Sequence, residues 1–216
     1  MSITTIYFVR HGEAVGNRDR IFHGYYDSQL TPDGREQAKR TAEEMQKYDI
    51  DVIISSDLTR AYDTAAYIAD GRGLDIITTP ALREINGGGW ENVPWDQLHS
   101  RYPQEMDDWL NNMHVLQMPG GESSIAFWER LVNEIELITE KYEGKKICIV
   151  THGTAIKTLM CYFDGVPLNE FTSRRWHDNC SITIVEKENG KYKTILDGYN
   201  GHLGELSTLE KQDWWK

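Results

Sequence analysis

The segment IYFVRHGE, residues 6–13, decides how the rest of the chain is interpreted. Four apolar residues are followed directly by an arginine, a histidine and a glycine. An unbroken apolar run of this kind is typical of a strand that is buried on both faces, as in a parallel sheet. The runs Val52–Ile54 and Ile147–Val150 have the same character, and the latter leads into Thr-His-Gly at residues 151–153. The sequence therefore predicts three buried strands, two of which present a histidine at their ends.

A helical pattern follows each of these apolar runs. The first helix is predicted to start at Thr31-Pro32-Asp33, because threonine is a good N-cap and proline suits the first helical position. Strands that alternate with helices predict a three-layer α/β/α fold with a mostly parallel central sheet. The apolar residues at helical spacing are Ala38, Ala42 and Met45, then Ala61, Ala65 and Ile68, then Ala155, Ile156, Leu159, Met160 and Phe163.

Two further elements are predicted in the second half of the chain. A longer helix should run from about Ser123 to Lys141. A hairpin should join the strands Ser181–Glu186 and Tyr192–Leu196, because Asn189-Gly190 between them favours a tight turn. The inner face of the long helix is predicted to carry Trp128, Leu131, Ile135 and Ile138.

Length and regularity indicate one domain that spans residues 1–216. Residues 86–122 are its least regular part and are predicted to form a lid or insertion. The pair Trp214-Trp215 is predicted to dock on the surface of the domain. Several large side chains of the lid are candidates for an apolar wall beside a substrate, although packing inside the lid is the commoner role for such residues: Trp90, Trp95, Trp109, Met113, His114 and Met118.

The charge balance restricts the partners that this protein can have. The chain carries 34 Asp and Glu against 23 Lys and Arg, which gives a net charge of -11. Such a surface repels nucleic acids and anionic membranes, so neither is expected as a partner. A phosphate site would then have to be made attractive locally by placed arginines. The sequence leaves open whether the protein forms a homodimer.

The cysteines indicate a reducing compartment and no metal centre. Cys148, Cys161 and Cys180 are an odd number in apolar surroundings, which is typical of reduced core thiols and not of a disulfide framework. Neither a basic-then-apolar leader nor an apolar run near about 18 residues is visible, so a cytoplasmic location is expected. His177, Cys180 and His202 match no zinc spacing, and no metal site is predicted.

The two histidines at strand ends are expected to lie close together, because ligands in α/β folds sit beyond the carboxyl ends of the strands. A lone histidine is more often a packing or capping residue, but His11 stands between Arg10 and Gly12 at a strand end. A neutral, oriented histidine can act as a nucleophile, and neighbouring arginines keep it neutral by lowering its pKa. Arg10 also suits bidentate binding of a phosphate group.

Three other residues are candidates with ordinary alternatives. Arg60 begins a helix, where an anion is favoured, although a solvated arginine fits the spacing equally well. Asn17 is by default a turn residue, but its amide could donate to a phosphate oxygen. Glu84 could protonate a leaving alkoxide, or it could simply pair with Arg83. If Glu84 faces two arginines, we expect it to be ionised in the free pocket and a bound phosphate dianion to raise its pKa.

With these residues in view, the chain resembles the histidine phosphatase superfamily, also called the phosphoglycerate mutase-like family. Arg-His-Gly-Glu alone is too short to be specific, whereas six blocks in order at family-like spacing are specific, and together they cover most of the chain. The resemblance implies the phosphoglycerate mutase-like form of the α/β/α fold. The blocks are Arg10-His11-Gly12-Glu13 with Asn17; Gly24-Tyr25-Tyr26-Asp27 through Leu30-Thr31 to Gly34; Ser55-Ser56 to Arg60-Ala61 and Thr64-Ala65; Glu84 with Gly89-Trp90-Glu91; Gly121-Glu122-Ser123; and Thr151-His152-Gly153.

The resemblance also implies a role for individual residues. His11 would be the phosphorylated nucleophile, and Glu84 would be the general acid that then serves as base. No metal and no cofactor is implied. The phosphate pocket would comprise the catalytic residue His152 with Arg10, Asn17, Arg60 and Gly153. Substrate contacts are expected from His23, Gly24, Tyr25, Glu122 and Ser123, although Ser123 serves equally well as an N-cap.

The family contains both phosphatases and mutases, and the residues favour a phosphatase. Mutases usually carry a serine and a tryptophan where this chain has Ala14 and Gly16, and few arginines lie between Glu84 and His152. The predicted function is metal-independent hydrolysis of small-molecule phosphomonoesters through a phosphohistidine, with release of inorganic phosphate. A cofactor-dependent phosphoglycerate mutase and a non-catalytic module that binds phosphorylated ligands stay open as alternatives.

Overall fold

A computed structural model describes residues 2–209 and has a six-stranded sheet at its centre. The strands are β1 (Thr4–Arg10), β2 (Val52–Ser56), β3 (Ile76–Thr79), β4 (Lys146–Thr151), β5 (Ile182–Glu188) and β6 (Lys191–Tyr199). Their order across the sheet is β3-β2-β4-β1-β5-β6. The first four strands in this order are parallel, whereas β5 lies antiparallel to both β1 and β6. The prediction of a mostly parallel sheet is confirmed.

Helices connect the strands, and two of them begin at a capping side chain that the sequence indicated. The Thr31 hydroxyl accepts a hydrogen bond from the N–H of Gly34 at 2.9 Å. Ser123 accepts one from the N–H of Ala126 at 3.1 Å. In the described part of the chain the α-helices are α1 (Val15–Arg18), α2 (Pro32–Met45), α3 (Thr59–Ala69), α4 (Trp95–Arg101), α5 (Pro103–Asn111), α6 (Ser124–Lys141) and α7 (Gly153–Phe163), with short 3-10 turns between several of them.

The helices form one layer on each face of the sheet. Ile6 and Phe8 of β1 belong to an apolar cluster that includes residues of α6 and α7. Tyr7 and Val9 belong to a second cluster, which includes residues of α2 and α3. Because successive side chains of a strand point to opposite faces, these two clusters are the two sides of the sheet. The predicted three-layer α/β/α fold is therefore confirmed.

The predicted hairpin and the buried third helix are also present. The turn between β5 and β6 is made by Asn189 and Gly190, with φ of 52° and 72°. A tight hairpin turn of this kind needs positive φ at both positions, which asparagine and glycine tolerate best. In α7, ten of the eleven residues are buried, in agreement with its apolar sequence.

Some elements differ from the prediction. The strand Ile76–Thr79 was not indicated by the sequence, because it is short and only partly buried. The region 86–122 contains two helices, α4 and α5, and neither has a capping side chain that would mark its start. The prediction for the inner face of α6 is wrong at one position. Phe127 is fully buried, whereas Trp128 is half-buried against Tyr162, with 6.0 Å between ring centres.

The region 86–122 is continuous with the main core. Trp90, Trp109 and Met118 are buried in the same apolar cluster as Ile6 of the central strand. Its role as a lid stays a prediction. The predicted docking of Trp214-Trp215 lies outside the described residues. Within residues 2–209, no helix is both long enough and apolar enough to cross a membrane.

Candidate active site

Two histidines from distant parts of the chain meet at the carboxyl ends of β1 and β4. These strands are parallel neighbours, and Arg10 at the end of one is paired with Thr151 at the end of the other. A histidine follows each of these residues. The rings of His11 and His152 have their centres 5.1 Å apart and their planes inclined by 62°, and both side chains are buried. The sheet register therefore produces the pair that the sequence analysis predicts.

His11 is held with one ring nitrogen available. Its Nδ1 lies 2.7 Å from the carbonyl oxygen of Gly12. Because a carbonyl can only accept, Nδ1 must carry the proton, which leaves a lone pair on Nε2. The Nε of Arg60 donates to that atom at 3.2 Å. Burial, followed by the charges of Arg60 and Arg10, lowers the pKa of His11 well below its usual value, so the ring is neutral at physiological pH.

Arg60 is fixed by the loop that follows α1. Its Nη2 donates to the carbonyl oxygens of His23 and Gly24, both at 2.8 Å, and its Nη1 donates to the carbonyl of Tyr26 at 3.1 Å. The side chain is fully buried, and burial lowers its pKa to about 10, so it remains charged near neutral pH. A buried positive charge beside the free nitrogen of His11 favours an anion at this position.

Two buried nitrogen atoms at the site have no hydrogen-bond partner in the described part of the chain: Nε of Arg10 and Nδ1 of His152. Arg10 is anchored through its Nη1, which donates to the carbonyl of His177 at 2.7 Å. His152 is anchored through its Nε2, which lies 2.8 Å from the hydroxyl of Ser56. Buried donors without a partner are costly. An anion in the cavity can accept from the Nε–H of Arg10, and from Nδ1 of His152 in the tautomer in which the Ser56 hydroxyl donates to Nε2 and Nδ1 carries the proton.

Gly153 allows the close approach of the chain to Arg10. A Cβ atom at position 153 would lie 3.1 Å from the Nε of Arg10. This contact is tighter than most real Cβ contacts, so a larger residue here would push against the guanidinium. Gly153 also starts α7, whose first N–H groups face the same region of the protein.

Glu84 is half-buried, lines the same cavity as the arginines and has a raised pKa. One carboxylate oxygen accepts from the N–H of Ile85 at 2.9 Å, and the other accepts from the N–H of Thr154 at 2.9 Å. Burial raises the pKa of Glu84, and these hydrogen bonds and the charge of Arg60 offset that effect only in part. Burial therefore outweighs the arginines in the direction of the pKa shift, and the expectation that the carboxyl is ionised in the free pocket stays a prediction.

Asn179, which the sequence analysis did not single out, connects two of the site residues. Its Nδ2 donates to the carbonyl of His11 at 3.0 Å and to the Oδ1 of Asn17 at 3.4 Å. The Oδ1 of Asn17 also accepts from the N–H of Ala14 at 3.0 Å. With its oxygen occupied in this way, the Asn17 amide has its N–H donors left for a ligand.

Asp178, next to Asn179, connects this loop to the last residues that the structure describes. Its buried carboxylate accepts from the hydroxyl of Ser207 at 2.6 Å, from the N–H of Thr208 at 3.0 Å and from the N–H of Leu209 at 3.2 Å. Burial alone would raise the pKa of Asp178, but hydrogen bonds led by those from Ser207 and Thr208 outweigh it and lower the pKa. The loop that supports His11 is thus tied down by residues 207–209.

A cavity brings the site residues together. Eight of the predicted residues line it, namely Arg10, His11, Asn17, His23, Gly24, Arg60, Glu84 and Gly153. His152 is not among the lining residues, although Gly153 and Thr154 directly after it are. Two candidates for the apolar wall, Trp95 and Trp109, also line it, and the lining is completed by four residues that had no predicted role in binding or catalysis, which are Gly16, Phe22, Thr154 and Trp176.

Three residues with predicted substrate contacts are not among the residues that line this cavity. The ring of Tyr25 is covered by the guanidinium of Arg83, 4.9 Å from the ring centre. Glu122 binds Arg130 through two hydrogen bonds of 2.8 and 2.9 Å. Ser123 is the N-cap of α6. Their contacts are those of residues that stabilise the fold around the site, and their contact with a substrate stays a prediction.

Of the residues proposed for the apolar wall, some line the cavity and others are buried in the core. Trp95 and Trp109 line the cavity, whereas Trp90, Met113 and Met118 are almost fully buried in the core, and His114 lies outside the lining. The sequence analysis missed Phe22 and Trp176 as parts of the same wall. Their only sequence signal was the high aromatic content of the chain, which does not indicate where each ring points.

The histidine and cysteine positions considered for a metal have protein partners instead. His177 Nε2 lies 2.6 Å from a carboxylate oxygen of Asp197. His202 Nε2 lies 2.9 Å from the hydroxyl of Thr41. Across residues 2–209, no group of three or more His, Cys, Asp or Glu side chains is placed to hold a metal ion.

Comparison with known proteins places this geometry in one family. The sequence profile of the histidine phosphatase superfamily (branch 1) matches residues 6–198. Phosphoserine phosphatase 1 of Hydrogenobacter thermophilus is 29% identical over 198 residues, which cover 92% of this chain and 93% of that protein. A Yersinia pestis protein named "Probable phosphoglycerate mutase GpmB" is 36% identical over 181 residues, 84% of each chain. The chain belongs to the histidine phosphatase superfamily.

The fold comparison agrees with this assignment. The solved structure of Bacillus stearothermophilus YhfR superimposes with a TM-score of 0.89 at 32% sequence identity, and covers 93% of this chain and 99% of that chain. The match thus includes the sheet and both helical layers. The phosphoglycerate mutase-like form of the fold that the resemblance implied is confirmed.

Proposed function

We propose that the protein hydrolyses small phosphomonoesters through a phosphohistidine formed on His11. One observation carries this proposal: the free Nε2 of a neutral His11 lies beside Arg60, in a cavity that is also lined by a carboxyl group of raised pKa, Glu84. A nucleophile, a positive group and a proton donor around one cavity are what phosphoryl transfer requires.

In the first step the Nε2 lone pair attacks the phosphorus atom of the bound ester. The bond between phosphorus and the alcohol oxygen breaks, and Glu84 transfers its proton to that oxygen. Arg10, Arg60 and His152 bind the phosphoryl oxygens, whose charge is redistributed during transfer. The partnerless nitrogens of Arg10 and His152 are the donors that gain most from this contact.

In the second step the Glu84 carboxylate takes a proton from a water molecule, and the water oxygen attacks the phosphorus of the phosphohistidine. The P–N bond breaks, its electrons return to Nε2 of His11, and inorganic phosphate leaves. Glu84 is protonated again, so the cycle closes with one ester and one water converted to an alcohol and phosphate.

The mutase alternative is less favoured, although one relative carries a mutase name. A mutase would require a bisphosphorylated primer, and it would isomerise its product without net release of phosphate. Gly16 stands where mutases usually have tryptophan, and a Cβ atom there would lie 2.5 Å from the ring of His23. A larger residue at this position therefore requires the His23 side chain to move. Ala14 in addition lacks the hydroxyl of the usual serine.

We further propose that the substrates are small molecules, not nucleic acids, and that the protein acts in the cytoplasm. The net charge of -11 disfavours binding to polyanions. The three cysteines are free and buried, which suits a reducing compartment.

Turnover of p-nitrophenyl phosphate in the presence of EDTA tests the function. Steady hydrolysis is expected, and His11→Ala should lower kcat by at least about 1,000-fold, because no other group supplies the nucleophile. Circular dichroism of the variant should match the unaltered protein. Retained activity in His11→Ala would remove the proposed intermediate, and vanadate binding without turnover in the unaltered protein would support the binding module instead.

A further inference from the structure

Four aromatic side chains, Phe22, Trp95, Trp109 and Trp176, line the cavity together with the phosphate-binding groups, and we call them the aromatic wall. Trp109 is at its centre. Its ring lies 5.9 Å from Phe22, 5.7 Å from Trp95 and 6.4 Å from Trp176, measured between ring centres. The planes of Trp109 and Trp176 are within 20° of parallel. A wall of this kind is suited to bury flat apolar surface.

Trp176 is supported from behind by α7. The Nζ of Lys157 lies 4.3 Å from the ring centre of Trp176 and 4.4 Å from that of Phe171. The two rings meet edge to face, 6.0 Å apart. Lys157 is itself buried. These contacts fix the indole in place before any ligand arrives, so little conformational entropy is lost when a ring packs on it.

The positive charges of the cavity are those that bind the phosphate group of the substrate. Apart from histidines, the ionisable side chains among the described residues that line it are Arg10, Arg60 and Glu84. The two arginines flank His11, and the described lining holds no further lysine or arginine that could pair with a second anion on the substrate. The nearby Arg83 is paired with Asp57 through two hydrogen bonds of 2.6 Å, so it is already neutralised.

Arg130, the other arginine close to Glu84, is neutralised in the same way. It donates to both carboxylate oxygens of Glu122 and to the carbonyls of residues 81, 83 and 84. A carboxylate on the leaving group would lose its hydration and would find no cation in the described lining except the two arginines that bind the phosphate, because Lys157 lies against Trp176 and does not line the cavity. An uncharged ring would instead bury apolar surface against the wall.

We propose that the preferred substrates are phosphomonoesters whose alcohol carries a flat, uncharged ring, and that esters with a carboxylate on the alcohol are disfavoured. This inference rests on the proposed function, because it concerns the leaving-group side of the same cavity. It names a substrate class that the phosphate-binding residues alone do not select.

The test compares esters whose alcohol leaving groups need protonation to a similar extent. Differences in kcat/KM then reflect binding of the alcohol and not the intrinsic reactivity of the ester. The unaltered protein would be assayed for phosphate release from benzyl phosphate, 4-carboxybenzyl phosphate and glycerol 1-phosphate. We expect kcat/KM for benzyl phosphate to exceed that for glycerol 1-phosphate by about 30-fold or more, from ring burial. The added carboxylate should lower kcat/KM by about 10-fold or more.

A variant locates the preference on the wall. Trp176→Leu should reduce the ratio of kcat/KM for benzyl phosphate to that for glycerol 1-phosphate by about 10-fold, because the stacking surface is lost. Trp128→Leu is the matched control, since Trp128 is a half-buried tryptophan on α6 that does not line the cavity, and the ratio should not change.

The outcomes separate the two proposals. Hydrolysis of all three esters with similar kcat/KM, or faster hydrolysis of the carboxylate ester, would overturn the substrate class and leave the phosphatase intact. Failure to hydrolyse any of them or p-nitrophenyl phosphate would overturn the proposed function itself, and the substrate class with it. An unchanged ratio in Trp176→Leu would remove the aromatic wall as the source of selectivity.

Discussion

The pKa values of His11 and Glu84 are shifted in opposite directions because the same surroundings act in opposite ways on a base and an acid. Burial disfavours charge in both, which lowers the pKa of the imidazole and raises the pKa of the carboxyl group. Arg60 strengthens the first effect and weakens the second. The lowered pKa leaves Nε2 of His11 unprotonated and the raised pKa favours Glu84 as a proton donor, which is the combination that the first step needs.

Glu84→Gln should show a loss that depends on the leaving group. For benzyl phosphate, kcat/KM is expected to fall by about 100-fold or more, because glutamine cannot protonate the departing alkoxide. p-Nitrophenolate needs little protonation, so kcat/KM for p-nitrophenyl phosphate should fall by less than about 10-fold. Using kcat/KM restricts the comparison to steps up to formation of the phosphohistidine.

The pH dependence provides an independent readout for the same variant. With benzyl phosphate, kcat/KM should decline as the pH rises through the raised pKa of Glu84, since the acid is lost when it ionises. This decline should be absent in Glu84→Gln. Glu129→Gln, an exposed position on α6, is the control and should behave as the unaltered protein does. Equal losses with both esters would contradict the role of Glu84 as an acid.

Single residues were predictable from the sequence where a motif marks them, and not where their role arises from long-range contacts. His11 and Arg60 stand out because a histidine and an arginine follow buried strands. Asn179 does not, because its partner is a backbone carbonyl 168 positions away. Trp176 has no local signal either, since the direction of its ring depends on Lys157 of another element.

Among the elements, the loop before β5 determines how β1 ends. Its Asp178 is bound by residues 207–209, while the neighbouring Asn179 holds the carbonyl of His11. The position of the nucleophile thus depends on a segment almost two hundred residues later in the chain. A substitution in residues 207–209 should therefore alter the position of His11, although these residues do not line the cavity.

Asp178→Asn is expected to lower the free energy of unfolding by about 3 kcal/mol at neutral pH, because an amide presents donors to groups that also donate. The native pKa of Asp178 is lowered, so its contribution is fully present above the ordinary value of 3.8 and is lost as the pH falls through the native value. Urea unfolding at several pH values should therefore show a difference that shrinks below about pH 4.

Asp75→Asn is the control for this measurement, because Asp75 is exposed. It should change stability by less than about 0.5 kcal/mol. The free energies of unfolding of Asp178→Asn and the unaltered protein could instead differ by the same amount down to acid pH. That result would show that the charge of the carboxylate is not what stabilises the loop.

The elements that the sequence predicted correctly are those with strong periodicity or caps. β1, β4 and α7 are mostly buried and carry apolar runs, and α6 has a serine cap. The four-residue β3 ends in two threonines at the edge of the sheet, where a buried apolar run is not needed. The helices of region 86–122 are short, and tertiary packing stabilises them more than their own sequence does.

For the whole molecule, the two apolar clusters on either side of one sheet indicate a single cooperative unit. Urea unfolding followed by tryptophan fluorescence and by far-ultraviolet circular dichroism should give the same midpoint. Three of the seven tryptophans, Trp90, Trp95 and Trp109, lie in region 86–122, so an early loss of structure there would change part of the fluorescence, whereas the dichroism reports on all helices. Vanadate should raise both midpoints together, because it binds only the folded protein.

An earlier fluorescence transition would instead identify region 86–122 as a separately unfolding lid. Its connection to the core predicts the opposite. Trp90 and Trp109 share one buried cluster with Ile6 and Ile147 of the central strands. Opening such a segment completely would expose the core of the domain, so any movement during turnover should involve its rim and not its tryptophan interior.

The anchors of Arg60 are main-chain atoms, whereas the aromatic wall consists of side chains. The guanidinium is held by main-chain carbonyls, which point mutations cannot delete, and three of the four wall residues lie on other segments of the chain, since only Phe22 adjoins these carbonyls. Evolution, or a protein engineer, can therefore exchange wall residues to admit new alcohols while the apparatus for breaking the phosphate ester is inherited unchanged.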